Sequence, residues 1–227
     1  MQKECKFAIF NFDECDQNLI DELVEFLDQN AQRIFDFFEL QATKKVIVNI
    51  IPTKKEFDDF IRKSRNLSDE DKIPRWVIGT FADGVITYLS LNDFKNTSHA
   101  CKGLEYYKKT ILHEFVHFTN ALFNALHNCP YTEKFLSEGI ASYLSMQRDG
   151  KKIDFDYSIE EVLSTKRFNP SYDAWHLLTQ YLVENYDKEF VLGLFKDNQQ
   201  ARKFVKKELF EKVKLNNKNN AEGNIKN

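Results

Sequence analysis

The chain has 227 residues, enough for one domain with appendages, and 42% hydrophobic content with 21 phenylalanines can fill a sizeable core. A net charge of −3 with 30% charged residues argues neither for nucleic acid nor for a membrane surface as partner, and none is expected. No apolar run approaches the ~18 residues of a transmembrane span. The first residues lead into a strand-like segment with no apolar signal core or cleavage site. That points to a cytoplasmic protein, or to a secreted one if a signal has been trimmed.

Residues 6–12 (KFAIFNF) are short and aromatic, as in a first strand. From Asn18, apolar side chains recur at Ile20, Leu23, Val24, Leu27, Ala31, Ile34, Phe35 and Phe38, which is helical periodicity. Residues 45–51 (KVIVNII) are β-branched and stop at Pro52, the composition of a central strand. Thr53 and Glu56 then match a capping box that opens a short helix. Residues 64–74 are polar and read as a loop. Residues 75–81 and 85–91 are two strands around Asp83-Gly84, a hairpin signal. Residues 92–102 are a polar connection.

Between Leu104 and Leu126 there is no proline or glycine, and Ile111, Leu112, Phe115, Phe118, Leu122 and Leu126 supply apolar packing. This helix carries His113-Glu114-Phe115-Val116-His117, an HExxH motif. Residues i and i+4 share a helix face, so both imidazoles can reach one metal ion. Zinc favours such nitrogens, and its catalytic sites combine three protein ligands with a water. Glu114 is placed to take the proton of that water. The plainer alternative is two partly buried core histidines with satisfied nitrogens.

Twenty residues separate His117 from Glu138, room for the helix to end and a second to return. Asn128-Cys129-Pro130 makes a suitable connection, because proline cannot continue a helix. Glu138 lies among Phe135, Leu136, Ile140 and Ala141 with Gly139 beside it, and a charge in an apolar segment needs a partner. A carboxylate third ligand would complete a His₂Glu zinc set. A solvated helical glutamate is the ordinary alternative.

Further on, residues 146–152 read as a turn, and Ser158 with Glu161 as a second capping box. Asn169-Pro170 reads as N-cap and first residue of a helix running to about Tyr186. Asp187 caps another, and residues 199–213 form a further amphipathic helix. The domain is expected over residues 1–215, with 216–227 a polar, disordered tail. Strands first and helices after give an α+β fold, a small mixed sheet in the N-terminal half and a mainly helical C-terminal half. Cys5, Cys15, Cys101 and Cys129 show no metal-ligand spacing and read as reduced thiols, with a Cys5–Cys15 bridge left open.

HExxH followed at this distance by Phe135-Leu136-Ser137-Glu138-Gly139-Ile140-Ala141-Ser142-Tyr143 resembles the gluzincin metallopeptidases, the thermolysin-like and zinc-aminopeptidase clan. Within it, the compact peptidase MA-like domains are most similar. The resemblance covers roughly residues 6–196. It implies a zincin-like fold, Zn²⁺ held by His113, His117 and Glu138, Glu114 as general base, and a peptide or protein substrate. It implies that the last strand before the metal helix, residues 85–91, is the sheet edge that receives an extended substrate. It also implies an oxyanion donor on a later helix, where Tyr172 and His176 share one face; the peptidase MA-like pattern favours Tyr172. Core packing is the alternative for both. His99 and His127 read as surface residues, and Asn120 as an undecided partner for a metal-bound histidine. The Gly-x-Met-Glu-Asn-like segment of the clan's aminopeptidases is missing; its place reads Ala82-Asp83-Gly84-Val85-Ile86-Thr87. The expectation is therefore an endopeptidase. The rival readings are a zinc-binding module with negligible turnover and a metallohydrolase acting on a non-peptide substrate.

Overall fold

Five short strands build a single mixed sheet in the computed structural model, which describes residues 1–68, 70–148, 153, 155–164 and 171–223. Among these residues the strands are β1 (Gln2–Glu4), β2 (Ala8–Asn11), β3 (Val46–Ile51), β4 (Gly79–Ala82) and β5 (Val85–Leu89), in the order β1-β2-β3-β5-β4. β2, β3 and β5 run parallel, and β1 and β4 pair antiparallel at the two edges. Ala8, Phe10, Val46, Val48 and Ile50 point into the core and alternate with more exposed neighbours. The expected central strand is central. β1 is a polar three-residue strand with no periodicity to betray it. The fold is mixed α/β with a small sheet, as the strand-then-helix order suggested.

Parallel neighbours need crossovers. The first is α1 (Gln17–Phe37), which buries Ile20, Leu23, Leu27, Ala31, Ile34 and Phe35. The second is α2 (Lys54–Ser64), opened by Thr53, whose hydroxyl accepts the Glu56 N–H at 3.3 Å. Asp83 and Gly84 both take positive φ, 51° and 79°, and close the β4–β5 hairpin. The strand expected over 75–81 begins at Gly79, because the Val77 N–H turns back to the Pro74 carbonyl at 3.0 Å. Residues 85–91 are not the sheet edge. β5 is paired on both sides, and the edge strand is β4. A hairpin that folds outward puts its first strand, not its second, on the outside.

The chain divides into two compact units, Met1–Thr119 and Asn120–Asn227, and the boundary falls inside α3 (Leu104–Leu126). In the first unit, Phe115 of α3 meets Phe35 of α1 at 5.8 Å between ring centroids and Phe7 at 6.4 Å. Asp16 is fully buried; its carboxylate accepts from the Ser90 hydroxyl at 2.6 Å and from Asn92 Nδ2 at 3.2 Å, tying the start of α1 to the end of β5. A buried carboxylate persists only with such donors.

The second unit is helical: α4 (Lys134–Leu144), α5 (Ile159–Val162), α6 (Tyr172–Asn185), α7 (Lys188–Lys196), α8 (Asn198–Phe204) and α9 (Phe210–Gly223). Ser158 and Glu161 form the expected capping box, and Asp187 caps α7. The helix expected over 199–213 is α8, a π turn at Val205–Leu209 and α9 in succession. α9 runs past Asn216 to Gly223, where the composition suggested the start of a disordered tail. Asn169, Pro170 and the turn residues 149–152 lie outside the described residues. The four cysteines are free, Cys5 buried and Cys15 exposed. No helix among the described residues is long and apolar enough to cross a membrane.

α4 and α6 approach through Gly139. A methyl group there would lie 2.1 Å from Thr179 Oγ1 and 2.5 Å from the Trp175 carbonyl. The backbone cannot swing aside, and Trp175 is fully buried with its indole N–H on the Val162 carbonyl at 2.8 Å. Gly139→Ala is expected to lower stability by about 1–3 kcal/mol, the usual range for overpacking. Urea unfolding checks it, and a midpoint equal to that of the parent would contradict this packing.

Candidate metal centre

α3 forms where the sequence places it, and its 3.6-residue period brings His113 and His117 together. Their Nε2 atoms lie 3.1 Å apart, with ring centroids at 4.8 Å and planes at 77°. Zinc–nitrogen bonds of about 2.0–2.1 Å in a tetrahedral arrangement put two ligand nitrogens about 3.3 Å apart. The observed convergence is close to that separation. Among the described residues, His113, His117 and Glu138 form a cluster able to hold a metal ion, their ligand atoms all within 4.8 Å of one another. His113 is 7% exposed, and the other two are half-buried. Two imidazoles and a carboxylate are a donor set that suits zinc. The same set accommodates other divalent transition metals, so the donors alone fix the class of ion.

Glu114, between the two histidines in sequence, is half-buried and turns toward the β4–β5 hairpin. A methyl built on Gly79 would lie 3.3 Å from Glu114 Cγ and 2.3 Å from Tyr88 Cε2. Tyr88, fully buried, donates its hydroxyl to Thr110 Oγ1. Burial pushes the Tyr88 phenol well above its usual range, the Thr110 bond working against this, so the hydroxyl stays a donor. Gly79, Tyr88 and Thr110 were not singled out by motif. Gly79 carried the one available signal, a glycine inside a strand pattern, which marks a close approach.

On α4, Lys134, Glu138 and Ser142 are four apart and share a face. Lys134 stacks over the Trp175 ring at 5.2 Å. Burial pulls its ammonium below the usual lysine range, while Glu138 pulls the other way. Ser142 Oγ lies 3.2 Å from His176 Nδ1, and the Tyr143 ring is 6.2 Å from the imidazole. His176 is buried at 4% exposure. Tyr172, one turn earlier on α6, is half-buried and packs edge-on against Trp175 at 5.1 Å.

One smaller expectation changes, and one left open gains partners. Asn120, at the start of the second unit, reaches Ser137 Oγ with its amide at 3.3 Å and accepts from Thr132 with its carbonyl at 3.0 Å. It thus braces the residue beside Glu138. His99 is half-buried, not a free surface residue, and its Nε2 sits 3.0 Å from the Trp76 carbonyl. Burial lowers its pKa below the usual histidine range. His127 is exposed, as expected.

No protein-family model, curated protein or solved structure matches the chain. A metal ion held by this cluster predicts one equivalent per chain. Elemental analysis of protein purified without chelator should give about one equivalent, lost in His113→Ala and in Glu138→Ala. Metal well below one equivalent that added zinc does not restore would rule the centre out.

Proposed function

We propose that the chain is a zinc-dependent peptidase of the gluzincin kind, acting as an endopeptidase on extended peptides or protein segments. The observation that carries this reading is the convergence of His113 and His117 Nε2 at 3.1 Å with Glu138 in the same cluster, on a helix that also carries Glu114. His113, His117 and Glu138 would hold the ion. When bound, zinc polarises the scissile carbonyl and makes a water acidic enough to serve as nucleophile near neutral pH.

The chain's own groups do the rest. The Glu114 carboxylate accepts the proton of the attacking water as its oxygen bonds to the carbonyl carbon. It then delivers that proton to the leaving nitrogen as the C–N bond breaks. The hydroxyl of Tyr172 donates to the oxyanion of the tetrahedral state, with His176 the alternative donor. His176 is engaged at Nδ1 by Ser142, which fixes its ring and favours Tyr172 as the group that moves to substrate. Among the described residues β4 is an edge strand with no strand on its outer side, and an extended peptide can add there as a further strand. With no Gly-x-Met-Glu-Asn-like segment where aminopeptidases of the clan hold a free amino terminus, internal bonds are the natural target.

Glu114→Gln separates binding from chemistry. It should keep the metal and the fold and lose turnover by ~10²–10⁴-fold. An equally active variant would falsify the role of Glu114, and a metal-free one would make Glu114 a ligand. Substrate class is read with two reporters. Internally quenched peptides of about eight residues should exceed single-residue aminoacyl reporters in kcat/KM by an order of magnitude or more, because remote contacts position the reacting bond. Faster cleavage of the aminoacyl reporter would overturn the endopeptidase reading. Tyr172→Phe should lower kcat by roughly 10²-fold at nearly constant KM; an unchanged kcat transfers the oxyanion role to His176.

A further inference from the structure

On α3, Thr110, Glu114 and Phe118 lie four residues apart on one face. Each meets a residue of the β4–β5 hairpin. Thr110 accepts the Tyr88 hydroxyl, and Phe118 packs edge-on against Phe81 at 6.1 Å. The rung between them joins Glu114 to Gly79, where the strand contributes no side chain. Gly79 is also the cross-strand partner of Tyr88. The Tyr88 ring fills the space a Cβ on residue 79 would take, and Tyr107 braces that ring edge-on at 4.9 Å. The ring cannot retreat, since both tyrosines are fully buried.

We propose that Gly79 and Tyr88 are positioning residues for the general base: the missing side chain at 79 and the tethered ring at 88 fix where the Glu114 carboxylate stands. The inference rests on the peptidase reading of Glu114. The outer rungs hold the helix at a set distance from the strands, one by a hydrogen bond and one by an aromatic pair. At the middle rung a methyl on residue 79 would already crowd Glu114 Cγ at 3.3 Å. Position 79 is also on the edge strand, so this rung lies beside the backbone groups to which a peptide would pair. A glycine here has no conformational duty, for its φ is not in the left-handed region. Its role is clearance.

The test uses the full chain at equal zinc content. Gly79→Ala should retain zinc and lower kcat on a quenched octapeptide on the order of tenfold or more with KM little changed, as a small misplacement of a catalytic group does. A purely structural role would reduce the folded fraction and leave kcat per folded molecule alone. Tyr88→Phe keeps the ring and removes its tether to Thr110; it decides the matter if Gly79→Ala does not fold, with a several-fold loss in kcat at constant KM expected. Crystal structures of parent and variant supply a readout independent of turnover, in which the Glu114 side chain is displaced. Parent-like kcat in both variants, or a Glu114 side chain that stays in place, overturns the positioning role and leaves the peptidase reading intact. A parent inactive on all peptides at full zinc sinks the peptidase reading, and the crystallographic comparison still decides the placement of Glu114.

Discussion

Everything in the site depends on the pitch of one helix. Because an α-helix returns to the same face after four residues, two imidazoles from a short run of sequence arrive with nitrogens 3.1 Å apart. That convergence is useful only if the helix is held rigidly, and the first unit supplies the hold. Phe115 points opposite to the ligands and locks into Phe35 and Phe7. Alternate faces of the same turn thus serve packing and chemistry. A mutation in the phenylalanine cluster would reach the ligands through the helix without touching them.

The second constraint is spacing between layers. Glycines stand at two places beside the proposed chemistry, and neither is needed for a turn. Gly79 makes room beside Glu114, and Gly139 lets α6 close on α4 next to Glu138. At Gly79 the neighbour is the buried Tyr88 ring, and at Gly139 it is the buried Thr179 hydroxyl with the Trp175 backbone carbonyl. A close-packed interior transmits such clearances directly into the position of charged groups.

Much of this was readable in advance where the signal is local. Thr53, Ser158 and Asp187 cap helices because a short polar side chain can reach a free backbone N–H two or three residues on. The bounds of α3 follow from an unbroken apolar period, and Asp83-Gly84 from the positive φ that its turn demands. Strand order was not local, so the edge was assigned to the wrong arm of the hairpin. β1 has three polar residues and no period. The partners of His99 and Asn120 come from segments distant in sequence, which residue type cannot identify. Tyr88 looked like an ordinary strand aromatic, and its tether to Thr110 exists only once α3 lies on the sheet.

The short strand β1 has a consequence of another kind. It covers the side of β2 opposite to β3, and β2 carries the fully buried Ala8 and Phe10. Lys3 is tied to Asp21 and Glu4 to Lys45, so charges fasten it at its rim. A chain stripped of these few residues would present a bare hydrophobic strand with a full row of unsatisfied backbone groups. Such an edge is a template for the same strand of another molecule. By pairing with β2, the first residues satisfy that row of backbone groups at the margin of the sheet farthest from β4.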